Sequence, residues 1–226
     1  MKLTCVLFDL DGTLLDTTDL IVDSLSYALN DHIGRKLPRQ EILDLIGRPL
    51  IEQMRSYADE ADVTRLSERC LHYYEANRDQ EVLFPGALEV LDLCRARGLS
   101  TALVTSKNRR EILGVLDKLP LAERIDTYIC SEDTEKPKPF PDPVNLARAR
   151  LEAAAEDTLF IGDSVYDLRC GKAADVMTGA ALWGPNTEAT LKPEEPTFLL
   201  PSLQYLADLI DRLTRAESGE ACAVAS

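Results

Sequence analysis

Two aspartates one residue apart, Asp9 and Asp11, close the apolar run Leu3-Thr4-Cys5-Val6-Leu7-Phe8. The run is short, continuous and ended by the turn signal Gly12-Thr13, which predicts a buried strand. In open α/β sheets, ligands sit beyond the carboxyl ends of the strands, so both carboxylates project where chemistry is done. Carboxylates this close repel one another unless a cation or a proton lies between them, and a divalent metal is the simplest way to keep both ionised. Taken alone, the pair could equally shape a loop and cap the next helix.

Three later segments favour chemistry. Leu103-Val104-Thr105-Ser106-Lys107 brings a hydroxyl to the end of a second apolar strand. Lys136-Pro137-Lys138-Pro139-Phe140-Pro141 puts lysine in a proline-stiffened loop. Ile161-Gly162-Asp163-Ser164-Val165-Tyr166-Asp167 ends a further strand with two more aspartates. Nucleophile and acid, then hydroxyl, lysine and metal carboxylates follow in that order. The chain thereby resembles the haloacid dehalogenase-like superfamily, in its phosphoglycolate phosphatase-like branch with a small helical cap, over about residues 3–213.

Periodicity supports an α/β chain with an all-helical insertion. Ile21, Leu25, Ala28 and Leu29 recur at helical spacing, with Thr17 or Thr18 as N-cap. A second helix is expected after Pro38 through Ile42, Leu45 and Ile46, stopping near Gly47, and a third through Val63, Leu66, Cys70 and Tyr74. No strand is expected between about Asp16 and Phe84. From Pro85 onward, helices near Val90, Val115, Val144 and Leu206 alternate with strands near 101–104, 127–130, 158–161 and 176–182. That alternation predicts a Rossmann-like parallel sheet with helices on both faces. The expected layout is a core of 1–15 and 85–215, a cap of 16–84 and a flexible tail of 216–226. The resemblance adds that the first strand is central, flanked by those ending at Thr105 and Asp163.

The resemblance also implies roles. Asp9 attacks phosphorus, and Asp11 protonates the leaving oxygen and then activates water. Thr105 and the Ser106 amide hold the phosphoryl group, and Gly12 lets backbone amides approach it. Mg²⁺ is bound by Asp9, Asp163 and the backbone carbonyl of Asp11, in keeping with its preference for oxygen ligands. Asp167 lies one turn beyond Asp163 and supports the metal or its neighbours; the alternative is that Asp163 or Ser164 caps a helix whose dipole Asp167 complements. The motif lysine fits two registers, Lys138 being favoured over Lys136. Lys107 reads as a further surface charge near the entrance. In the cap, Arg48 of Gly47-Arg48-Pro49-Leu50 is a candidate for a substrate carboxylate or second phosphate.

A formal charge of -14 argues against nucleic acid, whereas a local lysine, metal and amides still admit an anionic substrate. No apolar run reaches membrane-helix length, and the N-terminus shows no signal-peptide pattern. Six cysteines without a CxxC pair suit a reduced, cytoplasmic protein. The expected activity is Mg²⁺-dependent hydrolysis of a small phosphorylated metabolite, by a monomer or homodimer. An inorganic pyrophosphatase, a sugar-phosphate mutase and a non-catalytic binding protein are the alternatives.

Overall fold

The computed structural model describes residues 2–215, so the expected tail, with Cys222, lies outside the described residues. Six parallel strands form the central sheet: β1 (Cys5–Phe8), β4 (Ser100–Val104), β5 (Thr127–Ile129), β6 (Thr158–Gly162), β7 (Met177–Ala181) and β8 (Phe198–Leu200). Their order is β5-β4-β1-β6-β7-β8, so β1 is central and pairs with β4 and β6 as expected. The order reverses at β1, which opens a crevice beyond its carboxyl end.

The two-residue period of a strand divides β1 between two cores. Val6 and Phe8 pack on one face with Leu91, Ile112 and Ile210. These come from α5 (Ala87–Ala96), α6 (Arg109–Lys118) and α10 (Leu203–Arg215). Cys5 and Leu7 pack on the other face with Val144, Ala147 and Cys170, from α7 (Asp142–Arg150) and α8 (Val165–Ala173). Both faces are covered, which explains why the strand reads as a continuous apolar run. A short α9 (Glu188–Leu191) lies before β8.

Between β1 and α5 lie four helices: α1 (Thr18–Ile33), α2 (Arg39–Leu43), α3 (Leu50–Arg55) and α4 (Glu60–Ala76). They enclose an apolar cluster of their own, with Leu25, Leu29, Ile42, Met54 and Leu66 at its centre. The two chain crossings into this helical layer are tied together. β2 (Leu15–Asp16) pairs antiparallel with β3 (Val82–Leu83), Leu15 against Leu83.

Three features differ from the sequence reading. Strands β2 and β3 are too short to show a period. The second expected helix ends sooner, and α3 follows after Pro49 at its N-cap. Strand β8 is short, sits between Pro196 and Pro201, and gains its place by pairing with β7. Five cysteines are free and buried, as small core residues.

Candidate active site

The crevice beyond β1, β4 and β6 is closed over by α1, α3, α4 and the loop before α3, leaving a cavity of about 70 Å³. Asp9, Asp11, Thr105, Ser106, Lys138, Asp163 and Arg48 all line it. The sheet supplies the floor, because β1, β4 and β6 end at the same level through the register of Phe8 with Leu103 and Ile161.

Lys138 settles the register of the proline-rich loop. Its Nζ donates to Asp9 Oδ1 at 2.7 Å, to Asp167 Oδ1 at 2.7 Å and to the Val104 carbonyl at 3.2 Å. Lys136 is exposed and lies over the Phe140 ring. An ammonium has three donors, so Lys138 is fully engaged by protein groups. Burial opposes that charge, but Asp167 and then Asp9 outweigh it and hold Lys138 above the ordinary lysine range.

Asp167 was expected to support the metal, and it does double duty here. Its Oδ2 accepts from the Ser164 amide, while the Ser164 hydroxyl caps α8 in a reciprocal box. Its Oδ1 anchors Lys138. Capping and site-building are one arrangement at this helix start.

Three carboxylates, Asp9, Asp163 and Asp167, bring oxygens within 4.8 Å of one another. Burial raises Asp9 to about 7, with Asp167 adding to the rise and Lys138 opposing it. Burial, then Asp9 and Asp167, likewise push Asp163 well above the usual carboxylate range. Asp163 Oδ1 accepts from the Thr13 hydroxyl at 3.1 Å, whereas Oδ2 is buried with no hydrogen-bond partner. A cation-free arrangement therefore leaves an unsatisfied carboxylate oxygen beside two more carboxylates, and an all-oxygen donor set of this kind fits a hard divalent ion. The backbone keeps close around it. A Cβ on Gly12 (φ +81°) would meet the Asp163 carboxylate at 2.6 Å, and one on Gly184 would meet the Gly12 carbonyl at 2.6 Å.

The Asp11 carboxylate is not one of these three and has partners of its own. Its Oδ1 accepts from the Thr17 hydroxyl at 2.7 Å and pairs with Lys107 Nζ at 3.1 Å. Thr17 does occupy the N-cap of α1, but its hydroxyl serves Asp11 and caps nothing. Lys107, read from sequence as a surface charge near the entrance, is instead buried with 6% exposure. The signal that could have found it is its place two residues past Thr105, after a strand buried from Thr101 to Val104.

Thr105 is buried, and its hydroxyl accepts from the Lys107 amide at 3.1 Å. The Ser106 hydroxyl donates to the Gly47 carbonyl at 2.8 Å, so it joins the loop before α3 to the sheet. Arg48 Nε donates to the Tyr166 hydroxyl at 2.6 Å, and its guanidinium carbon lies 5.2 Å from that ring's centre. No carboxylate pairs with Arg48 among the described residues. Around it the helical wall is apolar, with Ile21, Leu25, Ile46, Leu50 and Leu71.

Known proteins are similar to this chain over most of its length. The family described as haloacid dehalogenase-like hydrolase matches residues 6–181. A PpaX protein of Caldanaerobacter subterraneus subsp. tengcongensis is 34% identical over 93% of this chain and 96% of its own length. Pyrophosphatase PpaX of Bacillus velezensis is 30% identical over 91% and 95%. Among solved structures, a haloacid dehalogenase-like protein of Bacteroides fragilis superposes with a TM-score of 0.84 at 27% identity, covering 91% of this chain and all of that one. Among the described residues, no helix is long and apolar enough to cross a membrane.

Proposed function

This chain belongs to the haloacid dehalogenase-like hydrolases, and from that premise we propose that it is a phosphatase that cleaves a small phosphomonoester with Mg²⁺, through an aspartyl-phosphate on Asp9. The observation that carries the reading is the distribution of hydrogen bonds over the two aspartates. Lys138 occupies Oδ1 of Asp9, and Oδ2 takes no donor among the described residues. That free oxygen is the nucleophile. Thr17 and Lys107 both occupy Oδ1 of Asp11, which leaves Oδ2 as the oxygen that passes a proton to the leaving oxygen. The same oxygen takes a proton from the water that cleaves the acyl phosphate.

Asp9, Asp163 and the Asp11 carbonyl would hold Mg²⁺, with Asp167 behind them, and the ion supplies positive charge for the phosphoryl oxygens. A cation held there would also offset the burial, and the repulsion among carboxylates that adds to it, which raise Asp9 and Asp163. Thr105 and the Ser106 amide orient the phosphoryl group at the end of β4. The helical layer over the crevice keeps bulk water from the acyl phosphate.

Arg48 is the cation on the leaving-group side, set in an apolar wall. It suits a short carbon-bearing group with one further anionic end, as in 2-phosphoglycolate. Inorganic pyrophosphate is the second reading, favoured by the relatives that carry that name. The test is phosphate release with Mg²⁺ from 2-phosphoglycolate and from pyrophosphate at matched concentrations. A higher kcat/KM for 2-phosphoglycolate supports the first reading, and a higher value for pyrophosphate replaces it with the second. Turnover of either by Asp9→Asn at the wild-type rate would overturn the nucleophile.

A further inference from the structure

We propose that Tyr74 and Glu81, at the exit of the helical layer, are positioning residues that aim the proton-carrying oxygen of Asp11 by way of Lys107. The inference rests on the reading of Asp11 as the acid for the leaving oxygen.

The contacts form one buried chain. Lys107 Nζ lies 3.1 Å from Asp11 Oδ1. It also donates to the Tyr74 hydroxyl at 3.0 Å and sits 4.4 Å from the centre of that ring. Tyr74 in turn donates to Glu81 Oε1 at 2.9 Å, and Arg78 Nε pairs with Glu81 Oε2 at 3.1 Å. The Glu81 side chain is fully buried. Charges alternate along the chain, which is what makes burying them tolerable.

Direction matters in this chain. A phenol has one proton, and it accepts from Lys107 with a lone pair only while that proton goes elsewhere. Glu81 takes it. The Tyr74 lone pair is thereby turned toward the ammonium, and the ring face adds attraction for the same cation. A lysine stem has four rotatable bonds, so without this second partner Nζ has no fixed aim. Held as it is, Nζ saturates Oδ1 of Asp11 together with Thr17. The carboxylate cannot then rotate without giving up two donors, and Oδ2 stays directed at the leaving oxygen.

The parts come from different places in the chain. Asp11 follows β1 and Lys107 follows β4, whereas Tyr74 is in the last turn of α4 and Glu81 precedes β3. The helical layer that closes the site thus also supplies the alignment of the acid.

The experiment compares kcat/KM for p-nitrophenyl phosphate and benzyl phosphate, esters of similar size. Nitrophenolate leaves as a stable anion, and the benzyl alkoxide must be protonated. The ratio kcat/KM covers steps up to loss of the leaving group, so it is blind to the later role of Asp11 as base. In Tyr74→Phe, benzyl phosphate should lose about tenfold or more and p-nitrophenyl phosphate less than about threefold. Lys107→Met should show the same split, and the double variant should be no worse than Lys107→Met alone, because the two act in series. Equal losses on both esters, no loss, or additive losses in the double variant would overturn the proposal. Asp11→Asn separates the two levels. If it lacks the split, the acid assignment fails; if it has the split and Tyr74→Phe does not, only the chain through Lys107 fails.

Discussion

Without a divalent ion, this protein should become more stable as the pH falls from 8 to 5, because Asp9 and Asp163 are both raised, and the Asp9 share can be worked through. Burial among carboxylates raises its pKa from 3.8 to about 7. Between those values the folded protein holds a proton that the unfolded chain releases, so stability declines as pH rises and levels off above about 7. A rise of about three units corresponds to about 4 kcal/mol at full ionisation. Water entering the cavity reduces the cost toward about 2 kcal/mol. Urea unfolding in EDTA at pH 5, 6, 7 and 8 crosses only about two of those units, so wild type should lose about 1–3 kcal/mol through Asp9 across the range. In Asp9→Asn, the amide oxygen still accepts from Lys138, the ionisation is gone, and that share of the slope should go with it. Saturating Mg²⁺ should restore wild type at pH 8, because only the folded state offers the site. The reasoning fails if metal-free wild type is as stable at pH 8 as at pH 5, or if Asp9→Asn keeps the wild-type slope.

Other perturbations test the site and its supports. Arg48→Gln should raise KM for an anionic leaving group by roughly 10–100-fold, the worth of one charge-assisted contact, and leave p-nitrophenyl phosphate nearly unchanged; an unchanged KM on steady-state assay removes Arg48 from recognition. Gly12→Ala adds a Cβ at 2.6 Å from the Asp163 carboxylate on a backbone with φ +81°. It should cost about 1–3 kcal/mol and weaken Mg²⁺ binding, read by titration calorimetry, and wild-type affinity would contradict the close approach seen there. Leu66→Ala empties the fully buried centre of the helical cluster. A loss of about 2–5 kcal/mol in thermal or urea unfolding is expected, and less than about 1 would mean that this cluster does little to hold the layer together.

The sequence by itself determined the sheet and the order of its chemistry. Strand β1 is apolar at every position because both faces are covered, and this is why Asp9 and Asp11 could be placed at a sheet end from the text alone. Helical spacing in α1, α4 and α10 was equally legible, since each buries one stripe. What the sequence could not carry were pairings between segments far apart in the chain. Strands β2, β3 and β8 have too few residues for a period and exist through their neighbours. Lys138 and Lys136 both satisfy the motif text, which leans to Lys138, and the approach of Asp9 and Asp167, 129 and 29 residues away, decides between them. Lys107 looked like any charged residue after a strand until Tyr74, 33 residues earlier, enclosed it. Periodicity reports which face of an element is dry, because burial repeats with the element's geometry. A hydrogen bond or ion pair repeats with nothing, so its partner is decided only when the tertiary fold brings the two groups within reach.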